Sequence, residues 1–478
     1  MMKIVDELPD PFRQPSSDWE RFDVHARRVR SIYMEPFEVE ISPTIYLGIR
    51  AVRDSPPLPD LKQIYIPDNF PFHLSPDLSS ALFLASVSTF NLVRLDGNAI
   101  SEPPFFIPFL SSLHAKSPKL THLVLRGVVN MSSLEHVHRF TNLQSLEIEV
   151  SGPYWHPPLL QQLGQLRGLL ELTIGTGTSK ETPASMQPHA KYPSPSYSNF
   201  GKLRKLHIRG NTISISRILN EMRNLSNLIT LMIEGMCDDK ADDTDDTEDD
   251  TDEPVDDTDD TVDDTDNTWT RSFEVISTYS AVEHIEINLH RRGGYSKYPL
   301  FVSWLSPLFK LDNLKNLIIN GAASPLSGSD DDFRLLARAF LKLKKFIVPP
   351  ITTNNLIGRT LACLYHFSRE CADLREIKIC VSFDIFENLN AIKMLPHPLV
   401  RNHRHPLEKL YINSDFGRLV QPSHLVRIAR FLDLIFPNLS TLETDDSNTT
   451  EAETWAGIHE FRLALQDARI DASRARYL

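Results

Sequence analysis

A unit of the form L-x-x-L-x-L, with other apolar residues substituting, recurs along the chain and decides what it can fold into. Fourteen such units begin at Val29, Leu61, Phe90, Leu120, Leu143, Leu169, Leu203, Leu228, Val282, Leu314, Leu343, Leu374, Leu407 and, in weaker form, Leu439. Successive starts lie 32, 29, 30, 23, 26, 34, 25, 54, 32, 29, 31, 33 and 32 residues apart, so one step alone departs from the series. Repetition at periods of this size is the mark of a stacked solenoid, because one unit cannot bury its own apolar face and needs a neighbour on each side.

In a short strand, alternate side chains point to opposite faces, so the second and third apolar positions of each unit, such as Leu206 and Ile208, fill the interior while the residues between them face solvent. Spacings near 30 leave room for a helix between strands, and 105–116, 215–225, 301–311, 333–342, 356–370 and 425–436 carry helical apolar periodicity. The expected fold is an α/β irregular leucine-rich-repeat solenoid, a horseshoe with parallel strands on the concave face and helices on the convex face. The asparagine expected after each strand is mostly missing, with Asn98, Asn211 and Asn320 as approximate candidates. The organisation read from the chain is a lead-in and cap over 1–28, a first block of repeats over 29–237, an insert over 238–268 and a second block over 269–450. A capping helix closes it over 451–478, with Trp455, Ile458, Phe461 and Leu465 as its apolar face.

The long step of 54 contains the insert. Residues 238–268 hold 18 Asp plus Glu against one lysine, a local charge of −17, so the rest of the chain carries −13 + 17 = +4. Removing roughly 30 inserted residues restores an ordinary spacing, which makes the insert a loop grown out of one repeat. Self-repulsion and scarce apolar residues make disorder its expected state. A Ca²⁺ loop needs a turn glycine and a bidentate Glu at fixed spacing, and the insert has neither. Its functional readings are electrostatic: attraction of basic partners such as histones, phosphorylation at Thr247 or Thr261, or competition with a ligand for basic patches on the solenoid.

Catalytic and metal constellations are sparse. Gly175-Thr-Gly-Thr-Ser-Lys180 lacks the GxxxxGK[ST] spacing and the third glycine of GxGxxG, and reads as a flexible loop leaving a strand. The pairs His136/His138 and His403/His405 have no Asp, Glu or Cys at ligand spacing and read as solvated surface. Cys363 and His366 share a helical face, but Cys363 stands among Leu361, Leu364 and Phe367, which marks a core thiol. The four cysteines form no CxxC pair, and no apolar run approaches the ~18 residues of a membrane span. No catalytic residue, cofactor, metal, nucleic-acid partner or membrane partner is expected. With an N-terminus of acids and prolines where a secretory signal needs an apolar stretch, the chain is expected to be intracellular, cytoplasmic or nuclear.

The stretch from Glu7 to Ile32, ELPDPFRQPSSDWERFDVHARRVRSI, closely resembles the segment that follows the F-box in a large family of fungal F-box/leucine-rich-repeat proteins. The elements Asp18-Trp-Glu-Arg-Phe22 and Ala26-Arg-Arg-Val-Arg30 carry the likeness. The resemblance implies substrate recognition: in that family the F-box binds the Skp adaptor of a cullin–RING ubiquitin ligase and the repeats select the protein to be ubiquitinated. Eighteen residues before Trp19 are too few for a three-helix F-box, so the Skp adaptor is expected as a partner only if an upstream segment supplies one. The competing expectation is a stand-alone leucine-rich-repeat scaffold, or a histone-binding protein that uses the acidic insert.

The expected binding surface is the set of solvent-facing strand positions, which lie on a rigid scaffold and have no packing duty. Three successive units contribute Ser145, Glu147 and Glu149, then Glu171 and Thr173, then Lys205, His207 and Arg209. Together with Arg204, the last three form the best basic cluster for an acidic partner peptide, while Glu147, Glu149 and Glu171 form the acidic area beside it.

Overall fold

The computed structural model describes residues 16–33, 56–65, 92–98, 103–126, 134, 136–150, 157–176, 200–223, 225–237, 264–291, 300–321, 326–348, 359–382, 384–395, 405–413, 421–444 and 449–474. It divides into two compact units, one of Met1–Gly210 with Asn220–Leu225, the other of Asn211–Leu219 with Ser226–Leu478.

In the first unit the repeats become β1 (Ser31–Tyr33), β2 (Gln63–Tyr65), β3 (Arg94–Asn98), β4 (His122–Arg126), β5 (Ser145–Val150), β6 (Glu171–Thr176) and β7 (Lys205–Asn211). Each pairs in parallel with the next, and the register sets Ile32, Ile64, Leu95, Leu123, Leu146, Leu172 and Leu206 side by side. All seven are buried. The motif therefore sets the register, since a slip of one residue would turn the whole apolar row to solvent. Helix α1 (Ser16–Ala26) precedes β1, and between later strands lie α2 (Pro103–Lys116) and α3 (Pro157–Leu163), with a 3₁₀ turn at Val137–Arg139.

The second unit repeats the scheme with β8 (Thr230–Cys237), β9 (His284–Arg291), β11 (Asn316–Asn320), β13 (Lys345–Ile347), β14 (Glu376–Cys380), β15 (Lys409–Asn413) and β16 (Thr441–Glu443), while β10 (Leu300–Phe301) and β12 (Leu326–Ser327) make a separate parallel pair. The core row is Leu231, Ile285, Leu317, Phe346, Ile377, Leu410 and Leu442. Its helices are α4 (Thr212–Glu221, most of which belongs here), α5 (Asp264–Ile276), α6 (Asp330–Ala339), α7 (Cys363–Glu370), α8 (Ile385–Met394), α9 (Pro422–Ile435) and α10 (Thr449–Arg474).

One backbone device recurs. A single carbonyl just ahead of each strand accepts the N–H groups of two successive residues in the following repeat: Val93 O takes Thr121 and His122, Thr121 O takes Gln144 and Ser145, and Lys315 O takes Lys344 and Lys345. Side-chain amides add to it. Asn142, Asn313 and Asn438, each directly before the leucine that opens a unit, donate to Pro118 O at 2.9 Å, Ser280 O at 3.1 Å and His405 O at 3.0 Å. The asparagine that ties repeats together thus precedes the strand. Of the positions expected to do this after the strand, Asn211 instead caps α4 by accepting the Ser214 N–H at 2.8 Å, and Asn320 bonds Asn288 across the sheet at 3.0 Å.

Several local expectations are corrected. The segment around 301–311 forms a 3₁₀ helix over Val302–Lys310, because its buried residues Val302, Leu305 and Leu308 recur every three positions and Pro307 removes a backbone donor. Helix α5 starts at Asp264, inside the stretch read as insert, where acids suit a helix N-terminus and Trp269, Phe273 and Ile276 bury one face; residues 238–263, with Thr247 and Thr261, lie outside the described residues. On α10 the buried face runs through Trp455, Ile458 and Arg462, and Phe461 is exposed, since it lies about 240° around the helix from Trp455. His405 is not a surface residue: it is buried, its Nε2 lies 3.0 Å from Cys371 O, and burial brings its pKa from 6.5 down to about 4. His403 lies outside the described residues.

Two glycine and charge placements hold the irregular second unit. Gly321, at φ +126°, passes so close to Leu289 O that a Cβ would stand 2.0 Å from it, so no other residue fits. Arg359, fully buried, donates to the carbonyls of Cys380 and Leu326 and lies 4.9 Å over the Phe333 ring. Beside it Asp330 accepts the N–H and hydroxyl of Thr360 at 2.8 and 2.7 Å, and burial raises the Asp330 carboxyl above its ordinary pKa. The guanidinium thus bonds carbonyls from two different repeats, which meets most of its own need for acceptors in the core.

Candidate protein-interaction surface

On β4 to β7 the strand alternation turns Leu206 and Ile208 inward with their counterparts and leaves the intervening side chains on the other face. Ser145, Glu171 and Lys205 form one row in register, and Val124, Glu147, Thr173 and His207 the next. Glu149, Gly175 and Arg209 form a third.

The middle of this face is an ion cluster. Glu147 Oε1 lies 2.8 Å from both Nε and Nη2 of Arg126 and 3.4 Å from Nη1 of Arg209. Arg126 comes from β4 and Arg209 from β7, so one carboxylate on β5 collects charge from strands on either side. Gly175 leaves room for its neighbour Glu149: a Cβ there would sit 3.0 Å from Glu149 Cγ. The three charges are between a fifth and two fifths exposed, which keeps their contribution to stability to within about 1 kcal/mol each. They order the face more than they stabilise it.

Lys205, Arg204 and Glu171 are exposed as expected, with Lys205 next to Glu171 in register. Glu149 is half-buried. His207 corrects the expectation. It is 6% exposed, because it shares its row with Thr173 and Glu147 while Arg209, two residues on along the same face, reaches across β6. The basic cluster of Arg204, Lys205, His207 and Arg209 is therefore not one patch: Arg209 is engaged with Glu147, His207 is covered, and the outward charge resides in Arg204 and Lys205.

Two features of this face escape a unit-by-unit reading. Arg126 stands in the position after the last leucine of its unit, the same column as Glu149 and Gly175, and stacking the units in register finds it. Tyr33 and Tyr65 occupy one column of β1 and β2 and stack at 4.5 Å with rings 2° apart, and the Arg94 guanidinium lies 5.3 Å over Tyr65.

Neither of two buried thiols of α7 and its C-terminal end is set up as a nucleophile. Burial lifts the Cys363 thiol well above its ordinary pKa and pushes that of Cys371 up to about 12, so both stay protonated at neutral pH. Among the described residues no group of three or more His, Cys, Asp or Glu is placed to hold a metal ion, and no helix is long and apolar enough to cross a membrane. What the face offers is a fixed pattern of charge on a parallel sheet.

The strand order, the register and the row of buried leucines define a leucine-rich-repeat solenoid. No family model matches the chain, and no curated protein matches it. Among solved structures it is similar to an internalin from Listeria monocytogenes (11% identity, 89% of each chain covered, TM-score 0.35) and to TLR13 in complex with ssRNA13 (13% identity, 81% of this chain and 51% of that one, TM-score 0.35). It is also similar to the yeast Rad7 and Elc1 complex, at 13% identity over 77% of this chain and 81% of that one with a TM-score of 0.33. Likenesses this remote add nothing to what the register shows.

Proposed function

We propose that the chain is a protein-interaction module, a substrate-recognition member of the F-box/leucine-rich-repeat type that selects a target for a cullin–RING ubiquitin ligase. The observation that carries the binding reading is the β4 to β7 face, where Arg126, Glu147 and Arg209 hold one another in place while Arg204, Lys205 and Glu171 stay exposed beside them. Charges pre-ordered on a rigid sheet lose little entropy on binding and select by complementarity. The chain binds in this reading and does not catalyse; the ligase assignment rests on the resemblance of residues 7–32. Skp adaptor binding belongs to it only with an F-box supplied upstream.

The test is proximity-based capture with quantitative mass spectrometry from cells expressing wild-type chain or Lys205→Glu with Arg204→Glu. Loss of a specific set of proteins in the variant, and stabilisation of those proteins when the chain is depleted, is the expected result. An unchanged interactome would remove the face from the account. A second reading, a stand-alone scaffold that binds histones, is favoured by the charge of −17 concentrated in 238–268. It predicts binding that falls steeply with salt and disappears with the tract, whereas face-mediated recognition survives deletion of the tract.

A further inference from the structure

The second unit carries an outward row that breaks the polar pattern of its neighbours. Its register sets Glu286, Ile318, Ile347, Lys378 and Tyr411 side by side on β9, β11, β13, β14 and β15. In the rows on either side Asn316 Nδ2 lies 2.7 Å from His284 Nδ1, Lys345 pairs with Glu376 at 3.0 Å, and Asn320 donates to Asn288 Oδ1 at 3.0 Å, while Asn288 in turn donates to Glu286 Oε1 at 3.1 Å. Two half-buried isoleucines therefore stand at solvent-side positions, flanked in their own row by Glu286 on one side and Lys378 on the other, beyond which the register runs on to Met232 and to Tyr411 and Glu443.

We infer that this row is a docking strip for an amphipathic helix of a partner protein, lying across the strands. Spacing and charge choose that occupant. From Glu286 to Lys378 the row crosses three strand intervals, about 14 Å, and an α-helix rises about 15 Å over ten residues, so helix positions i, i+3, i+7 and i+10 fall on one face in step with the four strands. An extended peptide laid the same way repeats its side chains every ~6.8 Å and drifts out of step with strands about 4.8 Å apart. Complementarity then orders the helix: a base at i against Glu286, aliphatic residues at i+3 and i+7 against Ile318 and Ile347, an acid at i+10 against Lys378, and an apolar residue at i+14 against Tyr411. This adds to the proposed receptor role a second surface, in the other unit.

The test uses the full chain and a fluorescein-labelled 18-residue helical peptide with Lys, Leu, Leu, Glu and Phe at those five positions, read by fluorescence polarisation. Saturable binding is expected, weakened at least about tenfold by Ile347→Asp or Ile318→Asp and several-fold by exchanging the peptide's Lys and Glu. Circular dichroism checks that the variants fold, and Ile347→Thr supplies a milder change if the aspartates do not. Lys205→Glu should leave this binding unchanged. No binding, equal affinity for a peptide with polar residues at i+3 and i+7, or loss with Lys205→Glu but not with Ile347→Asp would overturn the assignment, the last while leaving the first-unit surface standing. Self-association of the chain that Ile347→Asp abolishes, seen by analytical ultracentrifugation, would also overturn it in favour of a second copy.

Discussion

The outward faces of the two units share a backbone and differ in what they do with it. On β4 to β7 the face is ionic, with Glu147 shared between Arg126 and Arg209, and on β1 and β2 of the same unit it is aromatic, through Tyr33 and Tyr65. On β9 to β15 the polar side chains bond one another around Ile318 and Ile347, which stand adjacent in one row. Inside, the units follow one scheme: the same register row of buried apolar residues, the same shared carbonyl ahead of the strands. A solenoid keeps its fold through the inward positions and is free to vary the outward ones, so two surfaces of different chemistry can be read on one repeat.

The largest effect should come from the inward row, where the units ought to behave alike. Leu206→Asp in the first unit and Leu317→Asp in the second each place a charge between repeats with no other core, and each should cost more than about 4 kcal/mol, seen as loss of helical circular dichroism. A tolerated Leu317→Asp would break the equivalence of the two cores.

Next in size is a change with a counterpart in neither the motif nor the first unit's described residues. Arg359→Ala removes the bonds to the carbonyls of Cys380 and Leu326 and opens a void against Phe333, and should cost about 3–5 kcal/mol by urea denaturation. An effect near zero would mean that water serves those carbonyls as well.

His405 makes the stability of the second unit depend on pH. Its folded-state pKa is depressed from 6.5 to about 4, so the unfolded chain takes up the proton first as pH falls, and the stability due to the neutral ring is full above 6.5 and lost on the way down to 4. The loss is on the order of 3 kcal/mol, and His405→Gln, which keeps a donor for Cys371 O, should flatten the urea midpoint across that window.

The surface change should be small in stability and plain in binding. Glu147→Gln removes the negative charge that two guanidinium groups share, at a cost of less than about 1 kcal/mol given their exposure, and should strengthen capture of an acidic probe peptide. Smallest of all, replacing residues 239–263 by a short Gly/Ser linker, with the cut ending before α5, should change the melting midpoint hardly at all, since loop closure varies by only about 0.6 kcal/mol per doubling of length.

The amino-acid sequence by itself determined the solenoid. Spacing of leucines is local information, and a strand whose alternate residues must be buried against identical neighbours has one parallel register open to it, which is why the Leu206 row could be read in advance. The outward chemistry was legible only as a set of residue types. That Lys205 and Glu171 face solvent follows from alternation, but that His207 is covered and Arg209 engaged depends on a side chain crossing β6 to a carboxylate 62 positions earlier. The use of Arg359 to bond two distant carbonyls, the shift of the tying asparagine to the position before the strand, and the burial of His405 belong to the same class. Each is a contact between repeats whose partner is chosen by stacking, so only the tertiary structure, which brings residues roughly 30 apart in sequence to within one strand spacing, could decide it.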